Sequence, residues 1–441
     1  MEEMSFRVQD VVGRRVLVVG YGLTGRAVAA FCARHEISFA VSDGGRLAPA
    51  DEAWLRTHAR AVETGGHSER LLATSDLVIP SPGVPPGLPL IASARARGIP
   101  VWSELDLAGQ LAGRRRIVAV TGTNGKSTTV SLIGSLLDGT AIRPVVAGNI
   151  GLPFIDVVEG QDWDVAVIEV SSFQLEQSEL FHPHVGVLLN LAPNHLERHG
   201  SMAAYVAAKL RLFARQTSAD AAVLPSELAG VDHGRGRLVL FDSPFPPLPR
   251  GSDEVGDVRR LNLAAAVAAC REVVPDLDPT TRNVEDLRDA LFLPFRQQTV
   301  GTIRGIRVIN DSKATSPAAA IAALRSTREP AVVLLGGRSK RGGYDELAAY
   351  LAASPARGVV VFGEAKAEIA EQLVRAAVPH VVVHDLEAAV GAGLALARSG
   401  DALLLSPACS SFDAFASYEE RGEAFNRIAG RVPGFRAVAD S

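Results

Sequence analysis

The chain has 441 residues, 47% of them hydrophobic and 21% charged, with a formal net charge of −4. That is too long for one core, so two to four domains are expected, and the charge balance argues against nucleic acid as a partner. Cys32, Cys270 and Cys409 are widely spaced and offer no disulfide framework. With no signal-like N-terminus and no apolar run long enough for a membrane span, a soluble cytoplasmic protein is expected.

The first block opens with the apolar run Val16 to Val19, then Gly20-Tyr21-Gly22-Leu23-Thr24-Gly25 and an alanine-rich helix. A second strand, Ser38 to Val41, leads to Asp43, near the place where an acid would grip a ribose. Leu77 to Ile79, the turn Ser81-Pro82-Gly83, a helix over 90–97 and a short strand over 99–101 continue the alternation. The glycine turn alone is weak, because such turns also serve plain strand–helix packing. About a hundred residues are few for a complete dehydrogenase, so the block reads as a nucleotide-diphosphate site of unknown base.

The second block begins near Glu104. The strand Ile117 to Val120 meets Thr121-Gly122-Thr123-Asn124-Gly125-Lys126-Ser127-Thr128 and then a helix. In that context glycines bring backbone N–H groups onto phosphate oxygens, the helix N-terminus and Lys126 add positive charge, and the Ser127 hydroxyl can reach Mg²⁺. The longer phosphate-loop pattern wants glycine at Val120, so this is a shorter form. Strands over 145–147, 165–168 and 185–189 follow, then an exposed proline-rich loop over 244–249 and a helix over 261–270. Glu169 ends a strand, where an apolar surrounding makes a carboxylate costly unless it is paired or holds a metal. His195 lies past another strand end, a candidate metal or substrate contact. Lys209, in Ala203 to Leu210, reads from the residues alone as a surface lysine on a good helix.

The third block starts near Pro294. Strands over 308–309, 332–335, 359–362, 381–383 and 403–405 alternate with helices over 317–324, 344–353, 367–377 and 386–397. Polar strand ends recur at Asn310 to Thr315, Gly336 to Lys340 and Ser406 to Asp413, which suggests an anionic ligand. The fold class is therefore α/β in three domains. A Rossmann-like substrate domain covers 1–103, a central P-loop-type ATPase domain with a mostly parallel sheet 104–293, and a Rossmann-like doubly wound domain 294–441.

Several separate motifs then coincide: GTNGKST at 122–128, Gly148 to Gly151, EVSSFQL at 169–175, NDSKAT at 310–315 and SPACSSFDAFASYEERG at 406–422. Over essentially its whole length the chain resembles the Mur ligases, and NDSKAT favours the branch that adds D-glutamate. The resemblance implies ATP-dependent addition of D-glutamate to UDP-N-acetylmuramoyl-L-alanine through an acyl phosphate, with two Mg²⁺ ions, by a monomer whose partners are its small-molecule substrates. By matched position, Gly122, Thr123, Asn124, Gly125, Lys126, Ser127, Thr128, Asn262, Arg296, Asp311 and Lys313 would contact ATP. Ser127, Glu169, His195 and Lys209 would hold metal, with Lys209 carbamylated; Lys126, His195 and Lys209 would be catalytic. Gly22, Leu23, Thr24, Asp43, Ser81, Asn149 and Gln174 would line the UDP-substrate. Thr315, Lys340, Ser411, Phe412 and Tyr418 would place the amino acid.

The chain departs from that pattern at Asn194 and Glu197, at Val258-Arg259, at Phe295 and at Gln297-Gln298. Two other readings stay open at this point. One is a related ligase with another acceptor, including a folylpolyglutamate type. The other is a nicotinamide-dependent oxidoreductase built on the first block.

Overall fold

The computed structural model describes residues 8–160, 163–339 and 344–438. Its contacts group the chain into two compact bodies. One holds the chain up to Asn190, Val206–Arg250 and Leu261–Asn283; the other holds Leu191–Tyr205, Gly251–Arg260 and the chain from Val284 onward.

The first body carries two parallel sheets. One orders its strands β3-β2-β1-β4, from β1 (Val16–Val19), β2 (Phe39–Asp43), β3 (Ala61–Thr64) and β4 (Leu77–Pro80). β1 and β4 are wholly buried, which is why their sequences are unbroken apolar runs rather than alternating ones. The other sheet runs β10-β9-β8-β5-β7-β6, from β5 (Arg116–Thr121), β6 (Pro144–Gly148), β7 (Val165–Glu169), β8 (Val185–Leu188), β9 (Ala221–Leu224) and β10 (Arg237–Leu240). All five of its pairings are parallel. The expected strand over 99–101 reduces to one bridge, Val78 to Val101.

The link between these sheets is a helix, Glu104–Ala112, closed by a capping box between Ser103 and Asp106. Buried Asp106 also accepts from Ser178 Oγ at 2.6 Å and from the backbone N–H groups of Glu179, Leu180 and Phe181. Glu104, 2% exposed, accepts from the Ile155 N–H at 2.7 Å. Burial pushes its carboxyl up to about 7.

The second body holds a seven-stranded sheet, β15-β14-β13-β16-β12-β11-β17. Its strands are β11 (Gln298–Ile303), β12 (Ile306–Asn310), β13 (Ala331–Gly336), β14 (Gly358–Phe362), β15 (His380–Val382), β16 (Ala402–Leu405) and β17 (Phe435–Ala437). One apolar cluster joins the sheet to the helices Pro317–Ser326, Tyr344–Ala353 and Lys366–Arg375; another joins it to Leu386–Leu396 and Tyr418–Arg431. The doubly wound arrangement is present, with one correction: β11 and β17 pair antiparallel, so the sheet is mixed. Sequence reading passed over β11 because its apolar run is broken by Thr299, Gly301 and Thr302.

Candidate functional site

Two glycine turns in the first body stand at the carboxyl ends of parallel strands, where ligands of such sheets sit. After β1, Gly25 lies so close to the Gly20 carbonyl that a Cβ on it would be 2.0 Å from that oxygen. Ser81 Oγ donates to the same carbonyl at 2.7 Å. Asp43 accepts from the Tyr21 N–H at 2.6 Å and the Gly45 N–H at 2.7 Å, which fixes its carboxylate at the rim of a cavity of about 530 Å³. Gly22, Leu23, Thr24, Asp43, Ser81, Asn149 and Gln174 all line that cavity. The expected substrate-site residues are therefore brought together, and His67, which the sequence reading did not single out, joins them. No signal marked His67, because β3 before it is half-buried and was not recognised as a strand.

The second turn follows β5. Gly125 caps the helix Lys126–Asp138 at φ +84°, and a Cβ there would come within 2.4 Å of Asn262 Oδ1. The loop is held by Asn190: its carbonyl accepts from the Thr123 N–H at 3.1 Å and its Oδ1 from the Asn124 N–H at 2.9 Å. Thr123, Ser127 and Thr128 are buried beside it. Lys126 Nζ folds back to donate to the carbonyls of Gly122 at 2.8 Å and Thr123 at 3.0 Å.

At the end of β7, Glu169 is 2% exposed. Ser127 Oγ donates to its Oε2 at 2.5 Å and Asn149 Nδ2 to its Oε1 at 2.9 Å. Asn149 thus stands between the cavity and the phosphate loop. A buried carboxylate beside a hydroxyl is an all-oxygen donor pair, which fits a hard cation such as Mg²⁺ that takes its remaining ligands from phosphate and water. Among the described residues no group of three or more His, Cys, Asp or Glu could enclose a metal by itself.

Lys209 corrects the plain residue reading. It is 1% exposed, and its Nζ donates to the Gly122 carbonyl at 2.9 Å and lies 3.3 Å from Thr121 Oγ1. Burial first, and then the charge of Lys126, hold its pKa well below the ordinary lysine value, against the pull of Glu169. The same surroundings that lower it favour the neutral amine more than water does. Two lysines thus donate to one carbonyl oxygen, that of Gly122.

His195 lies on the 191–205 stretch and so belongs to the second body. It sits at φ +55° ahead of the helix Leu196–His199, with its carbonyl accepting from the N–H groups of Arg198 and His199. Ser127, Glu169 and Lys209 come together in the first body.

In the second body, three strand ends converge. Buried Asp311 accepts from Ser406 Oγ at 2.9 Å and from the Gln297 N–H at 3.2 Å. Burial pushes its carboxyl up to about 7, opposed in part by Arg296 and Arg259. Lys313 Nζ stands 3.7 Å from the centre of the Tyr418 ring, a cation over an aromatic face. Thr315 follows in the same turn, its N–H donating to the Lys313 carbonyl. Ser411 is buried and Phe412 is 62% exposed. Lys340 lies outside the described residues. Phe295 and Gln297 sit at positive φ, and a Cβ on Gly422 would collide with the Phe295 ring.

Arg421, fully buried, ties these ends together. It donates to Ser312 Oγ at 3.0 Å and to the carbonyls of Ser312 at 2.8 Å and Cys409 at 3.1 Å. Sequence reading saw only the motif that contains it, because nothing local separates Arg421 from Arg427 or Arg431 on the same helix.

Comparison with known proteins identifies the family. Residues 14–103 match the N-terminal domain of the MurD-like Mur ligases, 120–233 the Mur ligase middle domain and 295–409 the Mur ligase glutamate ligase domain. UDP-N-acetylmuramoylalanine–D-glutamate ligase from Pelotomaculum thermopropionicum is 38% identical, covering 96% of this chain and 98% of that protein. The enzyme of the same name from Anaeromyxobacter dehalogenans is 38% identical, covering 95% and 98%. In fold, the chain is similar to the MurF ligase of Thermotoga maritima in complex with ADP, with a TM-score of 0.59 at 18% identity over 98% of this chain and 100% of that one. UDP-N-acetylmuramate–alanine ligase of the same organism gives 0.53 at 21% identity, over 94% and 98%. The chain therefore belongs to the Mur ligase family, in the branch whose members bear the name UDP-N-acetylmuramoylalanine–D-glutamate ligase.

Proposed function

We propose that the chain joins D-glutamate to UDP-N-acetylmuramoyl-L-alanine at the expense of ATP, in the synthesis of peptidoglycan precursor. The observation that supports it most is the constellation of half-buried Lys126 with buried Ser127, Glu169 and Lys209 around one phosphate loop, with Asn149 linking it to the Asp43 cavity. A carboxylate is a poor electrophile. Transfer of the ATP γ-phosphoryl group breaks its bond to ADP and forms a bond to the alanyl carboxylate oxygen, giving an acyl phosphate. The D-glutamate nitrogen then attacks the carbonyl carbon, the carbon–oxygen bond breaks, phosphate leaves, and the nitrogen loses a proton.

The protein's part is positioning and neutralisation of charge. In this reading Gly122 to Thr128 cradle the ATP phosphates, Lys126 leaves the loop carbonyls for the phosphate being transferred, and Asn262, Arg296, Asp311 and Lys313 serve ATP. Ser127, Glu169, His195 and Lys209 would hold Mg²⁺, which when bound offsets phosphate charge. Lys209 would serve as its carbamate: the neutral amine adds CO₂ and releases a proton, which turns a buried cation into a carboxylate-like ligand. Gly22, Leu23, Thr24, Asp43, Ser81, Asn149 and Gln174 take the UDP-linked substrate; Thr315, Lys340, Ser411, Phe412 and Tyr418 take D-glutamate. We divide these tasks among segments 1–103, 104–293 and 294–441, and place the activity in the cytoplasm, by a single copy of the chain. Among the described residues no helix is long and apolar enough to cross a membrane.

The test is phosphate release with ATP, Mg²⁺, UDP-N-acetylmuramoyl-L-alanine and a panel of amino acids. Release with D-glutamate alone is expected. Release with L-glutamate or with a glutamyl-folate acceptor system would move the chain to another ligase class.

A further inference from the structure

The cavity beside Asp43 holds one imidazole that the proposed chemistry leaves unused. His67 follows β3 and lines the cavity with Asp43, Gly44 and Gly45. Its Nδ1 is 2.8 Å from Ser42 Oγ, and Ser42 is fully buried on β2. The other acceptor open to that hydroxyl, the Gly66 carbonyl, is 3.4 Å away and much the weaker. The hydroxyl therefore donates to Nδ1, and in the neutral ring the proton sits on Nε2. Nε2 stands over Gly44, where a Cβ would come within 3.2 Å of it, and it has no hydrogen-bond partner among the described residues.

The sheet order says which part of a ligand meets it. Strands run β3-β2-β1-β4, the glycine turn follows β1, Asp43 ends β2 and His67 follows β3. A nucleotide with its diphosphate at the start of the helix Leu23–Arg34 extends outward past Asp43 and reaches His67 with its base. The pairing edge of uracil presents acceptor, donor, acceptor. A fixed N–H donor beside a fixed carboxylate matches that edge. Cytosine replaces the O4 acceptor with an amino group, which would meet the Nε2–H donor against donor.

Resting on the reading of this cavity as the UDP-substrate site, we propose that His67 determines selection of the uracil base, with Ser42 as the positioning residue that sets its tautomer. The experiment is calorimetric titration of the full chain with UDP and with CDP. The wild type should prefer UDP, and His67→Ala should weaken UDP by about tenfold while leaving CDP unchanged, so that the preference collapses. His67→Gln, whose amide donates from a similar reach, should restore most of the preference, and Ser42→Ala should fall between. Should His67→Ala not fold, the ratio in the other two variants decides. A His67→Ala variant that binds UDP as the wild type does, or loses UDP and CDP in equal measure, overturns the proposal while the site reading stands. Wild-type protein that binds neither nucleotide overturns both.

Discussion

The two glycine turns use one backbone device for two purposes, and the difference lies in what neighbouring strands deliver. Beside the β1 turn, Ser81 and Asp43 arrive with hydrogen bonds already given to the turn's own backbone. No lysine or arginine lines that cavity among the described residues. Beside the β5 turn stand two lysines and a buried carboxylate bonded to a serine. The first arrangement suits holding a diphosphate that does not react. The second concentrates the charge that a moving phosphoryl group needs. In the proposed reading both turns face a phosphate, and their neighbours decide what becomes of it.

Removing the cation from the second turn should have the largest effect. Lys126→Ala is expected to lower kcat by about a thousandfold while UDP binding measured by calorimetry stays at the wild-type value. Retained turnover would erase the distinction between the turns. Next, Lys209→Ala should lose about a hundredfold in kcat and recover in part with millimolar formate or acetate, read by phosphate release. No recovery would count against the carbamate. Gly25→Ala strikes the other turn: its Cβ would meet the Gly20 carbonyl, so KM for the UDP-substrate should rise by about tenfold, KM for ATP should hold, and stability should fall by about 1–3 kcal/mol in a denaturant titration. Equal change in both KM values would show that the turns are not separable.

The smallest effect concerns the link between the two sheets. Glu104 titrates at about 7 when folded, above its ordinary 4.5, so the native state holds a proton that the unfolded chain has lost across that interval. Stability from this group is greatest at low pH and declines as pH rises through about 7. Glu104→Gln keeps the acceptor for the Ile155 N–H and cannot ionise. It should unfold like the wild type at pH 5 and exceed it above pH 7, by about 1–3 kcal/mol at most. Parallel curves at both pH values would refute the assignment.

Much of this was legible before any coordinates. Buried parallel strands announce themselves as apolar runs, and β1, β4, β5, β7, β8, β13, β14 and β16 were all visible that way. β3 and β10 were not, since each is a half-buried edge strand with polar or charged members, nor was wholly buried β9, where Ala221 and Ala222 leave only two strongly apolar residues in the run. β17 is three residues long and two of them are exposed. The phosphate loop and the polar strand ends were legible because folding alone does not require those residues there. Lys209 was not: a lysine in Ala203 to Leu210 looks the same whether it points to water or to the Gly122 carbonyl. Arg421 and His67 share that fate, for their partners lie 109 and 25 residues away.

The Glu104–Ala112 helix has a practical consequence for anyone who would dissect the molecule. Asp106 collects the chain at 178–181, while Asn149 and Gln174 complete a cavity begun by Gly20 and Asp43. A fragment cut near residue 103, though it would contain a whole four-stranded sheet, would lose both the anchor and one wall of the pocket. Ligand screens and binding assays therefore need the intact polypeptide, because the smaller piece would present a different pocket.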